Sequence, residues 1–417
     1  MNAITDLTRM WLTRSTKPFI FTNEFDEQLP FEDCRNLGLY VHIPFCSGIC
    51  NFCPYCKVIY SEETCNKYID ALIKEIHMAG NQIKSRKPVT SLYFGGGTPA
   101  LAAGRIKEII DAVREHFIIT EGIGVELHPD NVNVPLLQSL KDAGVTKISI
   151  GIQSFGEKHQ AVLGRKNVDI SSINNALKEV SFETVSMDFI FALPGQTFED
   201  LKADVDTAFA NGANHIAIYP FIDFTFTESP VQAMAKRKKR KLLDDITNYC
   251  LDKGYIRDSI WTFSKGENLR YSSMTRDNFL GFGCSATTLL QKQFKINTFS
   301  VEEYCGRIDK GMLPTSLTIR FSLRQRMVYY LFWTAYSTKV DSAGFEEFFG
   351  IPLKKMYGFE FWLAKCLGFV REEKGVYHMT LKGAFYYHYY ENFYTLSYID
   401  KMWGLMRKEA FPKGMEL

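Results

Sequence analysis

The 417-residue chain has no apolar run long enough to cross a bilayer as a helix, which takes about 20 residues, so no membrane span is expected. It has almost no charge imbalance, with a formal net charge of +2. That leaves no broad basic field for nucleic acid, and no nucleic-acid partner is expected. The first ten residues lack the long apolar stretch of a signal peptide. Internal repeats and low-complexity linkers are missing too. A disulfide framework is also absent: Cys34, Cys65, Cys250, Cys284, Cys305 and Cys366 stand singly. Together these absences point to a reducing cytoplasmic setting. What remains is an ordinary globular composition, 46% hydrophobic and 23% charged, long enough for two or three domains. Aromatics make up 14%, which suits either an enclosed apolar ligand or a dense core.

The other four cysteines crowd into one loop, Cys46-Ser-Gly-Ile-Cys50-Asn-Phe-Cys53-Pro-Tyr-Cys56. The C-x3-C-x2-C spacing of Cys46, Cys50 and Cys53 can wrap three thiolates around one iron–sulfur cube. Three protein ligands leave one of four irons open, and an open iron can bind a small molecule and pass it an electron. Two other readings stay open at this point. One is a four-cysteine zinc site, although structural zinc usually draws on two separated Cys pairs. The other is an all-cysteine electron-transfer cluster with Cys56 as fourth ligand.

Apolar spacing predicts strands at 39–43, 89–94, 123–128, 147–153, 184–193 and 215–221, with helices at 62–82, 106–117, 134–143 and 198–210. Six strands alternating with helices argue for a parallel α/β domain. Residues 37–230 are too few for a complete eightfold barrel of about 250 residues, so a partial (β/α)6 barrel is expected. The remainder divides into an irregular N-terminal arm at 1–36, a barrel extension at 231–300, and a mainly helical, substrate-covering C-terminal domain at 301–417. Gly375-Val-Tyr-His-Met-Thr reads as a β wing, and Gly281-Phe-Gly-Cys-Ser-Ala as a tight turn. The basic run at 236–241 precedes Leu242, Leu243, Ile246 and Cys250 at helical spacing, so it reads as the solvated face of a helix. The aromatic stripe at 385–394 reads as a helix packed on the domain.

Polar residues gather at strand ends, where parallel α/β folds place their chemistry. The cysteine loop follows the first strand, and Gly95-Gly96-Gly97-Thr98-Pro99 follows the second. Glycines let the backbone approach a ligand closely enough to hold a carboxylate or ammonium group. Glu126 ends the third strand, Gln153 the fourth, and Arg165 lies beyond it. Asp188 interrupts the apolar run Val185-Ser-Met-Asp-Phe-Ile-Phe, which costs free energy unless it is paired or ligand-bound; Arg165 is the structural partner to expect. Such a ring of groups above a cluster suits a charged, amino-acid-like cofactor.

Tyr40-Val-His-Ile-Pro-Phe-Cys46, Gly95-Gly-Gly-Thr-Pro99, Gly151-Ile-Gln-Ser-Phe155 and Asp188-Phe-Ile-Phe-Ala-Leu-Pro194 resemble radical S-adenosylmethionine (SAM) enzymes. More narrowly, they resemble the oxygen-independent coproporphyrinogen III dehydrogenase family. The resemblance implies a radical SAM barrel with a [4Fe–4S] cluster on Cys46, Cys50 and Cys53. SAM would be cleaved reductively there to a 5′-deoxyadenosyl radical. Tyr40, Gly96 and Glu126 match contacts to that SAM. Phe52, Gly97, Thr98, Gln153, Arg165, Asp188 and, through its backbone, Ile222 match contacts to a second SAM. His42 matches a histidine near the cluster. The dehydrogenases place a fourth cysteine two positions after the third; here Pro54 and Tyr55 intervene, leaving Cys56 as a substrate-facing thiol or a mere neighbour. The same scaffold serves dehydrogenases of porphyrinogen propionates, radical methyltransferases and cyclopropanases, haem-opening enzymes and haem chaperones. A tetrapyrrole or other large apolar substrate and a low-potential flavodoxin- or ferredoxin-type electron donor are the implied partners.

Overall fold

Residues 3–24, 27–227, 234–266 and 277–417 are described by the structure, a computed structural model. The boundary expected between 230 and 231 lies outside them. Six strands, β1 (Leu37–Ile43), β2 (Leu92–Gly96), β3 (Ile123–Leu127), β4 (Lys147–Gln153), β5 (Thr184–Phe191) and β6 (His215–Pro220), lie side by side in chain order. Each neighbouring pair is parallel. The architecture is therefore the expected α/β one, a parallel partial barrel with a helical C-terminal part. A seventh parallel strand, β7 (Asn278–Phe282), pairs with β1. Gly281, expected in a turn, lies within β7, and the turn follows at 283–285. Antiparallel strands extend the sheet beyond both β6 and β7, and among the described residues its row of strands stays open.

The side-chain period of two decides which face does what. Leu39, Val41 and Ile43 of β1 and Ile148, Ile150 and Ile152 of β4 are fully buried in the core beneath the helices. Tyr40, His42, Ser149, Gly151 and Gln153 fall on the opposite face and line a cavity. The crossover helices have readable caps. Ser61 accepts from the Thr64 amide at the start of Glu62–Gly80, and Thr197 with Asp200 forms a capping box for Phe198–Ala210. Gly144, at φ +96°, ends Val134–Asp142.

The N-terminal segment is not irregular throughout. Ala3–Thr13 is a helix, and Ile20–Thr22 is a strand between Gly414–Glu416 and Thr318. The helix buries Thr5, Arg9 and Thr13, a polar face at i, i+4, i+8, while Leu7 and Trp11 are exposed, so its apolar spacing does not mark the inward face. The C-terminal part holds the helices Leu323–Tyr336, Ser342–Phe349, Leu353–Cys366 and Leu381–Tyr394, with a wing of Val370–Glu373 and Val376–Met379. The basic run lies in the helix Lys236–Asp252 and is only partly solvated. Lys236 and Arg240 stack over Tyr389 and Phe385 of the aromatic helix, and Lys239 is buried.

Candidate active site

β1 ends at Pro44, and the cysteine loop runs on to a short strand, Val58–Ile59, paired with Phe45–Cys46. The glycine loop after β2 is tied to it: Gly97 N donates to Ile43 O at 2.8 Å and Thr98 N to Phe45 O at 2.7 Å. A Cβ on Gly97 would lie 2.6 Å from Phe45 O and 2.9 Å from Cys46 Sγ, so only glycine lets the loops meet. Gly96 sits at φ +123° against His42. Cys46, Cys50 and Cys53 are half-buried. Burial pushes the Cys46 thiol up to about 11 and raises Cys53. The Lys57 ammonium bonds the Cys53 carbonyl, and the Arg407 guanidinium bonds that of Pro54.

Two carboxylates face the same space. Glu126 accepts from Gly96 N at 3.2 Å and Tyr93 Oη at 3.1 Å. Burial, then the Asp188 charge, pushes its carboxyl up to about 8. Asp188 accepts from Ser149 Oγ at 2.7 Å and Ser186 Oγ at 2.9 Å, and burial lifts it to about 6. The expected Arg165–Asp188 pair does not form: Asp188 has its two serines, and the Arg165 guanidinium donates to the Gly151 carbonyl while its Nε stays unpartnered. Gln153 is held at φ +73°, strain of the kind that collects at functional sites.

Every residue singled out in the sequence for cluster or SAM lines one cavity. From β1 and its loop come Tyr40, Cys46, Cys50, Phe52 and Cys53; from β2 and β3, Gly96, Gly97, Thr98 and Glu126; from the later strands and loops, Gln153, Arg165, Asp188 and Ile222. The cavity measures about 2030 Å³, well above the roughly 300–1,000 Å³ of an ordinary small-molecule site. Its far wall comes from Arg9 of the N-terminal helix and aromatics of the C-terminal helices, among them Tyr329, Phe332, Tyr387 and Tyr394. The C-terminal domain was expected to cover substrate, but its individual residues carried no motif, and Arg9 lay in a segment read as an irregular arm. Ser149 and Ser186 left a signal, being small polar residues on the cavity face of otherwise apolar strands.

Cys56 parts company with the loop. Its thiol donates to Phe299 O at 3.2 Å and shares a hydrogen bond with Cys284, which draws Cys56 below the ordinary thiol range; burial pushes Cys284 up. Among the described residues, the ligand atoms of His42, Cys56 and Cys284 lie within 4.8 Å of one another, and those of Cys46, Cys50 and Cys53 do not form such a group. A single zinc ion with Zn–S bonds of about 2.3 Å needs the closer spacing.

Residues 40–208 match the radical SAM superfamily. The chain carries a radical SAM domain. Beyond that domain the likeness extends to the heme chaperone HemW of Bacillus subtilis, 26% identical over 338 residues, 76% of this chain and 88% of that protein. The oxygen-independent coproporphyrinogen III oxidase of Pseudomonas aeruginosa is 24% identical over 327 residues, 69% of this chain and 70% of that one. Coproporphyrinogen III oxidase (HemN) from Escherichia coli shares the fold, with a TM-score of 0.76 over 91% of this chain and 96% of that chain at 20% identity. A radical SAM domain implies a [4Fe–4S] cluster and SAM, and the residues present fit both. Three half-buried thiols share one loop, a glycine cradle adjoins them, and two partly exposed carboxylates that accept only from neutral donors face the same space.

Proposed function

We propose that this radical SAM enzyme oxidatively decarboxylates a propionate side chain of a porphyrinogen-type tetrapyrrole. The observation behind this reading is the cavity, which runs without a break from the cysteine loop to the aromatic C-terminal helices and exceeds the size of one cofactor. The cluster, which Cys46, Cys50 and Cys53 would hold, and SAM would together supply a carbon-centred radical. Tyr40, Gly96 and Glu126 hold the amino-acid end of the cleaved SAM. Phe52, Gly97, Thr98, Gln153, Arg165, Asp188 and Ile222 hold a second SAM across the same mouth. The macrocycle lies against Tyr329, Phe332 and Tyr394, with its carboxylates toward the cations Arg9, Arg257 and Lys339 of the wall. The propionate gives a hydrogen atom to the SAM-derived radical, releases carbon dioxide, passes one electron to an external one-electron acceptor, and becomes a vinyl group. A flavodoxin- or ferredoxin-type protein supplies low-potential electrons to the cluster.

The test is an anaerobic assay with reconstituted protein, SAM, reductant and coproporphyrinogen III. Vinyl product in step with 5′-deoxyadenosine supports the reading. SAM cleavage with no vinyl product rejects it. S-adenosylhomocysteine beside deoxyadenosine would move the chain to methyl transfer or cyclopropanation, and stoichiometric haem transfer without turnover would make it a chaperone.

A further inference from the structure

His42, Cys56 and Cys284 come from three separate elements: the end of β1, the far side of the cysteine loop, and the turn after β7. Their ligand atoms nevertheless converge within 4.8 Å of one another, and the three residues are 3%, 5% and 0% exposed. We infer that they form a second metal site, separate from the iron–sulfur cluster, for a zinc-class divalent cation held by two thiolates and one imidazole.

Three observations carry this. The first is spacing. Zn–S bonds of about 2.3 Å and Zn–N bonds of about 2.0–2.1 Å put tetrahedral ligand atoms about 3.5–3.8 Å apart, so separations within 4.8 Å need a contraction of at most about 1.3 Å. The second is the effort spent in placing Cys284. Its amide donates to Tyr68 Oη at 2.9 Å, and that hydroxyl donates to the His42 carbonyl at 2.8 Å. Glu75 accepts from Gly283 N at 2.7 Å and Tyr304 Oη at 2.6 Å, and Asn297 donates to Gly283 O at 2.9 Å. Gly283 itself lies at φ +98°, where a Cβ would come 2.4 Å from Tyr68 Oη. A thiol that only filled space would need no such frame. The third is charge. A divalent ion with two thiolates and a neutral imidazole is a neutral unit, the form that a buried site tolerates.

One imidazole nitrogen now faces Tyr40 Oη and the other the Cys56 carbonyl, each at 3.0 Å. On ligation one of these bonds gives way to the metal and the other keeps the ring oriented, the usual outer-shell arrangement. The balance is simple: the cation enters, the two thiols release two protons, and no electron moves. Cys56 and His42 also line the large cavity, so the fourth position opens toward bound substrate, as in zinc sites that keep one place for an exchangeable ligand.

The test uses the full chain with its iron–sulfur cluster reconstituted. Iron and zinc are counted after gel filtration, and Co(II) is then titrated in as a spectroscopic stand-in. The expected result is one zinc per chain beyond the cluster iron, and a thiolate-to-cobalt charge-transfer band that Cys284→Ser abolishes while leaving iron content unchanged. The same titration on a Cys46→Ser, Cys50→Ser, Cys53→Ser chain removes the competing loop and should still show one tetrahedral cobalt. Should that chain not fold, the comparison of Cys284→Ser with the parent in the cluster-loaded protein stands alone. Zinc and cobalt retained after Cys284→Ser, or absent from the parent, would overturn the site.

Discussion

Glu126 concentrates the chemistry at the level of single residues. Its carboxyl is lifted from the ordinary 4.5 to about 8 by burial, with the Asp188 charge adding and the Gly96 amide opposing. In the unfolded chain the group loses its proton near 4.5, but in the folded chain only near 8. Between those values the unfolded state binds fewer protons, so stability falls as pH rises, with a slope of at most about 1.4 kcal/mol for each pH step of one. On the proposed assignment of Glu126 to the SAM ammonium, that cation offsets the penalty, and SAM affinity should rise with pH toward about 8. Glu126→Gln is expected to flatten the decline of the ligand-free melting temperature between pH 5 and 8 and to weaken SAM at least about tenfold at pH 8. Thermal scans across pH and calorimetric titration check both; an unchanged slope would show that Glu126 is not the strained group. This residue was legible as a polar group ending an apolar strand. The partner of Asp188 was not, because two serines on its own face of the sheet outcompete a distant guanidinium, and register between strands is invisible in a one-dimensional pattern.

Secondary-structure elements were readable where burial follows a period. β4 alternates isoleucine with small polar residues, and the wing turns at Lys374-Gly375, both at positive φ. The Ala3–Thr13 helix was hidden because its inward face is threonine and arginine. The helix Leu381–Tyr394, expected from the aromatic stripe at 385–394, presents rings both to the cations of Lys236–Asp252 and to the cavity. At this scale the joint between the cysteine and glycine loops is the sensitive point. Gly97→Ala places a methyl group against Phe45 O and Cys46 Sγ. It is expected to cost about 1–3 kcal/mol and to lower iron incorporation. Gly104→Ala, with nothing within 4 Å in the helix Ala103–His116, is the control and should keep full iron. Equal iron in the two variants would mean that the loops need not touch.

In the whole molecule, the six-strand parallel order was legible because each strand carries its own apolar run. β7 and the antiparallel flank were not, since Thr287–Leu289 and Gln293–Asn297 are short and mixed in polarity and gain their stability from neighbours. The flank continues into Ile20–Thr22 and Gly414–Glu416. Phe19 and Leu417 exchange backbone hydrogen bonds of 2.7 and 2.9 Å there. Thr8, Arg9, Leu12, Phe19 and Phe21 all line the cavity. Deleting residues 1–24 should therefore leave the cluster loop intact but open the chamber to water. Iron content and SAM cleavage are expected to persist, with the ratio of deoxyadenosine to product rising several-fold. A ratio equal to that of the full chain would show that the segment plays no part in enclosure.

The chamber's two walls are encoded far apart. Strand ends before residue 223 furnish one, while the other is furnished largely by helices and the wing beyond residue 320. Such a division lets inheritance treat ignition and fuel separately. Substitutions in the later stretch can retune which molecule is admitted, leaving the spark untouched, so divergent chemistries can descend from one ancestor without reinventing the radical.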